Sequence, residues 1–345
     1  MTRHFATPTP ASKADDMEIK GKSDQHRAGN KLVILPDFSP AAGIVSFAKC
    51  MQLAENWPKS GQVVFAVSGI TPPMAQKRIV DAGYECIKLA NGKGINDTVS
   101  ELQSSIARMQ PAAVIVDGQS FKPAALATLE MHVGQVLWLC DDEIATRPEY
   151  YIGHSIQQTQ SKKIVSVARR IAVIVDGADE DSLTSEILNS LDKITTHSFS
   201  VDICISSSNP QHQLLLDLAS ASEHSVRIHR DASRIESLMP RFDLGIVNFK
   251  SGSLQLAQHG VPMIGISAFS DPVSLRETLQ NNGAIETVHI ACDEEILSDS
   301  IRSMVRNRDR RQQLSNAAMR CVDGKGASRL IAMLTGEKTT LRKAS

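Results

Sequence analysis

The feature that most restricts the fold of this 345-residue chain is an alternation between two kinds of segment. Brief runs of continuous apolar residues alternate with longer stretches in which apolar residues recur every three or four positions. Continuous runs are typical of strands covered on both faces, and the longer stretches are typical of amphipathic helices. The apolar runs of the first half are 32–35, 63–67, 114–116 and 136–140. This order of elements predicts an α/β protein built on parallel sheets.

The same alternation begins again after a polar stretch at 157–163, which is typical of a linker. The apolar runs of the second half are 171–175, 201–205, 244–247 and 263–266. We therefore expect two Rossmann-like domains, 31–158 and 165–335, with a last helix that can cross back to the first domain. Residues 1–30 mix proline, hydroxyl and charged residues without periodicity, so they predict a disordered tail, and 336–345 form a second tail.

Composition excludes several classes of protein. The chain has 37 basic and 38 acidic residues, so no overall field attracts nucleic acid, and aromatic residues make up only 4%. No run of 18 apolar residues is present, which excludes a membrane span. The six cysteines form no C-x-x-C pair and the ten histidines form no H-x-x-x-H pair. We therefore expect no metal, no cofactor and a location in the reducing cytoplasm.

Polar residues follow nearly every predicted strand. Because ligands bind beyond the carboxyl ends of strands in open parallel sheets, these residues are where chemistry is expected. Three aspartates in the first domain are candidate catalytic bases: Asp37, Asp117 and Asp142. The run from Asp141 to Glu143 is acidic enough to hold a divalent ion, but a solvated strand end is the interpretation that we adopt.

Residues 250–253, Lys-Ser-Gly-Ser, lie between an apolar strand and a helix. Small residues at a helix N-terminus leave backbone N–H groups able to bind a phosphate, and the helix dipole adds to the attraction. An ordinary serine N-cap is the alternative interpretation. The candidate nucleotide-binding residues are Ser206, Asn209, His229, Lys250, Ser251, Gly252, Ser253 and Gln255.

Five arginines cluster near the C-terminus of the chain. They are Arg302, Arg306, Arg308, Arg310 and Arg311. The main interpretation is that they cover the polar face of a terminal helix, and contact with a partner is the alternative.

Several segments together resemble one family. They are 35–37 followed by Gly43, 114–117, 139–143, 205–210, 237–239 before Asp243, 260–262 and 322–329. This combination resembles the UDP-sugar hydrolase of pseudaminic acid biosynthesis and its spore-coat polysaccharide relatives, over roughly residues 31–335. The resemblance implies the glycosyltransferase-B architecture, in which two Rossmann-like domains face each other across a cleft, and a relation to MurG-type glycosyltransferases.

The resemblance also implies a reaction. In that family, water attacks the anomeric carbon of an amino sugar with inversion while the nucleotide diphosphate leaves. The C-terminal domain binds UDP, and the N-terminal domain supplies the sugar pocket and a water-activating histidine in a Gly-x-Gly-His motif. Here residues 43–46 read Gly-Ile-Val-Ser. Ser46 replaces the histidine, and a serine without a base is a poor proton acceptor near pH 7.

Other positions of the cleft depart from the family pattern as well. Gly118 stands where a histidine is usual, Asp176 where a glycine is usual, Gln255 where a carboxylate is usual, and Asp271 where an asparagine is usual. Asp176 would repel a diphosphate, so we expect weak binding of a UDP-sugar or other nucleotide sugar.

Two hypotheses follow from these departures. The first is a nucleotide-sugar hydrolase or glycosyltransferase of surface glycan or flagellar glycosylation pathways that uses a different base. The second is a catalytically inactive relative that acts as a binding or assembly scaffold with a protein partner. The sequence leaves open whether the chain is an enzyme.

Overall fold

The computed structural model describes residues 30–38, 43–67, 71–89, 95–118, 127, 129–133, 135–139, 147–153, 162–175, 179, 182–205, 209–230, 237–267, 273–289 and 294–336. For 43–46, 95–100 and 294 it describes the backbone alone. The side chain of Ser46 and the whole of Asp142, Asp176 and Ser206 therefore lie outside the described residues.

The described residues of the first half form a five-stranded parallel sheet. Its strands are β1 (Lys31–Leu35), β2 (Gln62–Val67), β3 (Glu85–Lys88), β4 (Ala113–Val116) and β5 (Val136–Trp138). Helices α1 (Gly43–Asn56), α2 (Pro73–Asp81) and α3 (Ile95–Met109) connect the first four strands, as parallel pairing requires. The spatial order is β3-β2-β1-β4-β5, so the direction of winding reverses between β1 and β4.

The described residues of the second half form a six-stranded parallel sheet. Its strands are β6 (Arg170–Ile174), β7 (Ser200–Cys204), β8 (Ser225–His229), β9 (Leu244–Val247), β10 (Met263–Ser267) and β11 (Glu286–His289). The spatial order is β11-β10-β9-β6-β7-β8, which is the doubly wound order of dinucleotide-binding folds. The winding reverses between β6 and β9.

Seven helices of the second half are described. They are α4 (Leu183–Asp192), α5 (His212–Ala221), α6 (Ser251–Gln258), α7 (Val273–Asn281), α8 (Glu294–Arg306), α9 (Arg308–Cys321) and α10 (Gly326–Thr335), with short 3₁₀ helices at Pro148–Tyr150 and Met239–Arg241. Among the helices that the structure describes, none is both long and apolar enough to cross a membrane.

Each sheet buries apolar side chains on both faces. On β1, Leu32 and Ile34 pack into one apolar cluster, and Val33 and Leu35 pack into another on the opposite face. Strand β6 contributes to two clusters in the same way. This two-sided burial explains why the central strands appear in the sequence as continuous apolar runs.

The last helix, α10, packs on the first sheet although it follows the second. Leu330 and Ile331 are buried in the same apolar cluster as Phe47 of α1. The Ser328 hydroxyl donates a hydrogen bond to Asn56 Oδ1 at 2.6 Å. The domain limits 31–158 and 165–335 stay predictions, since the connection between Gly153 and Lys162 lies outside the described residues.

The turn between α9 and α10 is held by an ion pair. Arg329 Nη2 lies 2.5 Å from Asp323 Oδ2, and the Lys325 N–H donates to Asp323 Oδ1 at 3.0 Å. Burial raises the pKa of Asp323, but the hydrogen bonds from Arg329 and Lys325 outweigh it, so the pKa lies below its ordinary value of 3.8. Gly326 lies against the carbonyl of Tyr151, where a Cβ atom would collide. The segment 322–329, which contributes to the family resemblance, thus joins the two domains.

Candidate functional site

The strand order creates a crevice at the carboxyl edge of each sheet. In open α/β sheets, ligands bind where the winding reverses, because the connections on either side of that point run to opposite faces. The reversals lie between β1 and β4 and between β6 and β9. The segments that follow these strands begin at Pro36, Asp117, Val175 and Asn248.

A cavity of about 80 Å³ lies between the two domains at this edge. Its walls come from α1, from the segment that leaves the first domain, and from the N-terminal part of α6. The lining residues are Ala48, Lys49, Tyr151, Ile152, Gly153, Ser251 and Gln255. The carboxamide of Gln52 donates to the Gly153 carbonyl, which fixes that segment against α1. Two of the predicted nucleotide-binding residues, Ser251 and Gln255, therefore line the cleft.

The N-terminus of α6 is shaped by Ser253. This side chain is buried, and its hydroxyl donates to the Lys250 carbonyl at 2.7 Å, so it closes the first turn of its own helix. Lys250 occupies the N-cap position in an extended conformation and has no side-chain acceptor for the first N–H groups. Gly252 is buried and does not line the cavity. In place of a side-chain acceptor, Lys250 brings a positive charge to the positive end of the α6 dipole.

Asp37 and Asp117 follow neighbouring strands at the first reversal. The Asp117 N–H donates to the Leu35 carbonyl at 2.9 Å, which holds the end of β4 beside the end of β1. Asp117 is 3% exposed, and Asp37 is half-buried. The Trp138 indole donates to the Gly118 carbonyl at 3.0 Å and so fixes the backbone after Asp117. Two of the three candidate bases therefore come from adjacent strand ends, and neither lines the cavity.

His229 is bound to the sheet and does not line the cavity. Its Nε2 lies 2.7 Å from Oδ1 of Asp202, a carboxylate that also accepts from Arg227 Nε at 3.0 Å. The strand register explains this cluster. Asp202 on β7 pairs with Arg227 on β8, and Arg227 and His229 lie on the same face of β8 because they are two residues apart. The hydrogen bonds that Arg227 donates to Asp202 raise the pKa of Arg227.

Asn209 also has a structural partner. Its Oδ1 accepts from the Gln211 N–H at 2.8 Å, next to the start of α5. The Gln211 side chain in turn donates to Ser182 Oγ at 2.5 Å and accepts from Ser185 Oγ at 3.1 Å. Asn209 therefore helps to hold the ends of β6 and β7 together.

The residues after β6 adopt a strained backbone. Asp179 and Ser182 have φ angles of 54° and 56°, in the left-handed region that non-glycine residues rarely adopt. Asp179 is buried, and its Oδ2 accepts from the Thr184 N–H at 3.3 Å. Among the described residues, Asp179 Oδ1 and Thr184 Oγ1 are buried without a hydrogen-bond partner. The strained residues and the two unpaired polar atoms lie at the connection from β6 to the first turn of α4.

The described residues contain no group of three or more His, Cys, Asp or Glu side chains that could hold a metal ion. The acidic run from Asp141 to Glu143 lies outside those residues.

Sequence motifs identified only two of the seven residues that line the cavity. Lys49, Tyr151 and Gly153 line the cavity, yet no motif marks them. Lys49 occupies a half-buried position on α1, where a lysine is ordinary. Only the packing of α1 against the 151–153 segment makes it a cleft residue.

Comparison with solved structures finds proteins similar to this chain, whereas comparison of sequences does not. No protein-family model matches the chain, and no curated protein sequence matches it. The glycosyltransferase of kitacinnamycin superimposes with a TM-score of 0.57 at 11% identity over 90% of this chain and 100% of its own. MurG from Acinetobacter baumannii gives 0.53 at 12% identity over 89% and 99%, and SnogD from Streptomyces nogalater gives 0.52 at 15% identity over 89% and 98%.

These similarities cover both domains of the chain. At such low identity they establish the architecture, whereas the function has to be inferred from the residues of the site. The protein is therefore an α/β protein of the glycosyltransferase-B architecture, with two parallel-sheet domains. The fold class predicted from the alternation of elements is confirmed.

Proposed function

We propose that this chain binds a nucleotide sugar in the cleft between its two domains and acts on it as an inverting hydrolase or glycosyltransferase. The observation that carries the proposal is the interdomain cavity, whose walls join α1 of the first domain to the N-terminus of α6 in the second. Both walls lie at the reversal points of their sheets, where doubly wound folds bind ligands.

A diphosphate is the group that this part of the cleft suits best. The N-terminus of α6 presents the positive end of its dipole, and Ser251 lies at its first position. Lys49 adds a positive charge at the wall of the cavity, and Lys250 adds another at the N-cap of α6. A nucleoside diphosphate carries the negative charge that such an arrangement stabilises.

The chemistry would need a base on the first domain. Asp37 and Asp117 are the described candidates, and Asp142 remains a third. One carboxylate would take a proton from water, or from an acceptor hydroxyl, as that oxygen attacks the anomeric carbon. The bond to the nucleoside diphosphate breaks at the same time, and α6 would stabilise the charge on the leaving group.

The proposal extends to the identity of the nucleotide, the location and the pathway. We propose UDP as the nucleotide, the cytoplasm as the location and surface glycan or flagellar glycosylation as the pathway. The support is the resemblance of segments such as 139–143 and 322–329 to the UDP-sugar hydrolase of pseudaminic acid biosynthesis.

An inactive binding or assembly scaffold is the second candidate function. The cavity volume favours it, because about 80 Å³ is well below the ~300 Å³ at which small-molecule sites begin. A nucleotide sugar enters only if the domains separate. The replacement of the family histidine by Ser46 favours the same function.

The deciding experiment is a calorimetric and thermal-shift titration with UDP, UDP-sugars and CMP-sugars. A ligand at about 100 times its Kd stabilises the fold by about 2.7 kcal/mol, which is a measurable rise in Tm. Lys49→Ala and Gln255→Ala should weaken binding about tenfold, whereas Lys77→Ala on α2 is the matched control and should not. The absence of a shift with every nucleotide would favour the scaffold.

Turnover separates the two candidates further. Release of UDP from a bound UDP-sugar, lost in Asp117→Asn or Asp37→Asn while binding is retained, would identify an enzyme and its base. Binding without release in the unmodified chain would identify a binding protein.

A further inference from the structure

Positive charge is concentrated at the amino edge of the second sheet. Four described segments meet there: 162–170, 193–199, 239–243 and 303–311. They contain ten basic residues, Lys162, Lys163, Arg169, Arg170, Lys193, Arg241, Arg306, Arg308, Arg310 and Arg311, and two acidic residues, Asp243 and Asp309. The whole chain, by contrast, has 37 basic and 38 acidic residues. We call these four segments the basic face.

Hydrogen bonds join the four segments. Lys162 Nζ donates to the Pro240 carbonyl at 2.8 Å, and Arg308 Nε donates to the Ile164 carbonyl at 3.2 Å. Arg306 Nη2 lies 3.3 Å from Thr196 Oγ1. The basic residues therefore belong to one surface, although they are far apart in sequence.

A buried arginine makes this surface rigid. Arg311 has no exposed surface, and its Nη2 donates to the carbonyls of Val165 and Ser166 at 2.6 and 3.1 Å. Its Nη1 donates to the carbonyls of Met304 and Val305 at the end of α8. The guanidinium thus fixes the 162–170 segment to the junction of α8 and α9, which presents the outer charges in a fixed arrangement.

Most of the remaining charge faces solvent. Arg310 is paired with Glu286 at 2.6 Å, and Asp243 Oδ2 accepts from the backbone N–H groups of Arg169 and Arg170. Seven basic side chains are exposed: Lys163, Arg169, Arg170, Lys193, Arg241, Arg306 and Arg308. Asp309 is the one exposed acidic side chain in these four segments. Val165, 39% exposed, adds an aliphatic group among them.

We propose that the basic face docks the protein on an anionic phospholipid surface. Each basic side chain near such a surface strengthens binding by about fivefold. Seven of them outweigh Asp309 together with the three carboxylates that border the face at the same edge of the sheet, Asp192, Glu223 and Glu286. The phenylalanine rings of the face, Phe199 and Phe242, are buried, and the half-buried His197 ring already stacks on Phe199. The face therefore offers no fully exposed ring for stacking bases of single-stranded nucleic acid. An aliphatic group among basic residues suits a lipid surface better.

The position of the basic face leaves the cleft accessible. All strands of the second sheet are parallel, so the amino edge with the basic face is opposite the carboxyl edge with Ser251 and Gln255. Five residues of strand separate the two edges by about 16 Å. A docked molecule would therefore keep its cleft open to ligands in solution.

Vesicle sedimentation of the full chain tests the proposal. Vesicles of phosphatidylcholine with about 30 mol% phosphatidylglycerol should bind the protein, and pure phosphatidylcholine vesicles should not. The triple variant Lys163→Gln, Arg169→Gln, Arg241→Gln should bind about a hundredfold more weakly, and about 0.5 M salt should have a similar effect. Lys77→Gln with Arg78→Gln on α2 is the control and should bind as the unmodified chain does.

Three results would overturn the proposal. One is equal binding to the two kinds of vesicle, and another is unchanged binding by a triple variant that unfolds at the normal Tm. The third is tighter binding of a DNA duplex than of the vesicles through the same residues, which would identify nucleic acid as the partner. If the triple variant does not fold, the single variant Arg241→Gln tests the same proposal, and its affinity for the anionic vesicles should be about fivefold lower.

Discussion

At the scale of single residues, Asp323 shows how burial and hydrogen bonding compete. Its pKa is lower in the folded chain than its ordinary value of 3.8, because Arg329 and the Lys325 N–H stabilise the carboxylate. The stabilisation is complete above pH 3.8 and is lost as the pH falls through the lower, folded value. We expect Asp323→Asn to lower the free energy of unfolding near pH 7 by about 1–2 kcal/mol.

Urea unfolding at a series of pH values measures this effect. The difference between Asp323→Asn and the unmodified chain should shrink as the pH falls below 3.8, where the unfolded chain takes up the proton, and it should vanish below the lower, folded pKa, where both chains lack the carboxylate. Asp299→Asn is the control, since that carboxylate is 70% exposed and its pair with Arg302 lies on a helix surface. A constant difference across the whole pH range would contradict the assignment.

Asp176 carries the residue-scale prediction for ligand binding. A carboxylate about 5 Å from a diphosphate costs about 3 kcal/mol at an effective dielectric constant near 20, which corresponds to more than a hundredfold in affinity. We expect Asp176→Gly to strengthen UDP binding measured by calorimetry. Asp176→Asn keeps the size of the side chain and should reproduce most of the gain. Unchanged affinity in both variants, together with no effect of Ser251→Ala and Ser253→Ala, would remove the second domain as a nucleotide site.

At the scale of elements, α10 completes the core of the first domain. Leu330 is fully buried in the cluster that contains Phe47 and Leu32. We expect Leu330→Ala to lower the free energy of unfolding by about 2–5 kcal/mol, because it leaves a cavity in that core. Hydrogen exchange should accelerate at the amides of β1 and α1 more than at those of β6. Leu216→Ala on the exposed side of α5 is the matched control and should have little effect.

At the scale of the whole molecule, the two domains do not divide at one point of the chain. The first sheet ends at Trp138, yet its core needs residues 326–335. We expect a fragment of residues 30–153 to be unfolded or molten, with exposed apolar surface that binds a hydrophobic dye. Joining residues 323–336 to that fragment should restore a cooperative unfolding transition. A fragment that folds as stably without α10 would contradict the shared core.

Much of the fold followed from local pattern. Strands buried on both faces, such as β1 and β4, need continuous apolar residues, so their positions were visible. The strands β3, β8 and β11 at the sheet edges were missed, because polar residues interrupt each of them and Val288 of β11 is their one buried residue, so no continuous apolar run appears. Ser251 and Gln255 were placed at the cleft because a helix that follows a central strand must begin at the carboxyl edge. Their role as nucleotide ligands remains a prediction.

The sequence by itself determined the layered α/β class, the restart of the pattern and the strand ends at which polar residues gather, because each depends on neighbours in the chain. Tertiary structure alone decided which strand ends meet, since the switch points depend on spatial order. It turned His229 into a partner of Asp202 and made Lys49 a cleft residue. It also brought Lys163, Arg241 and Arg306 onto one face. Such contacts join residues 27 to 144 positions apart, and no local periodicity records them.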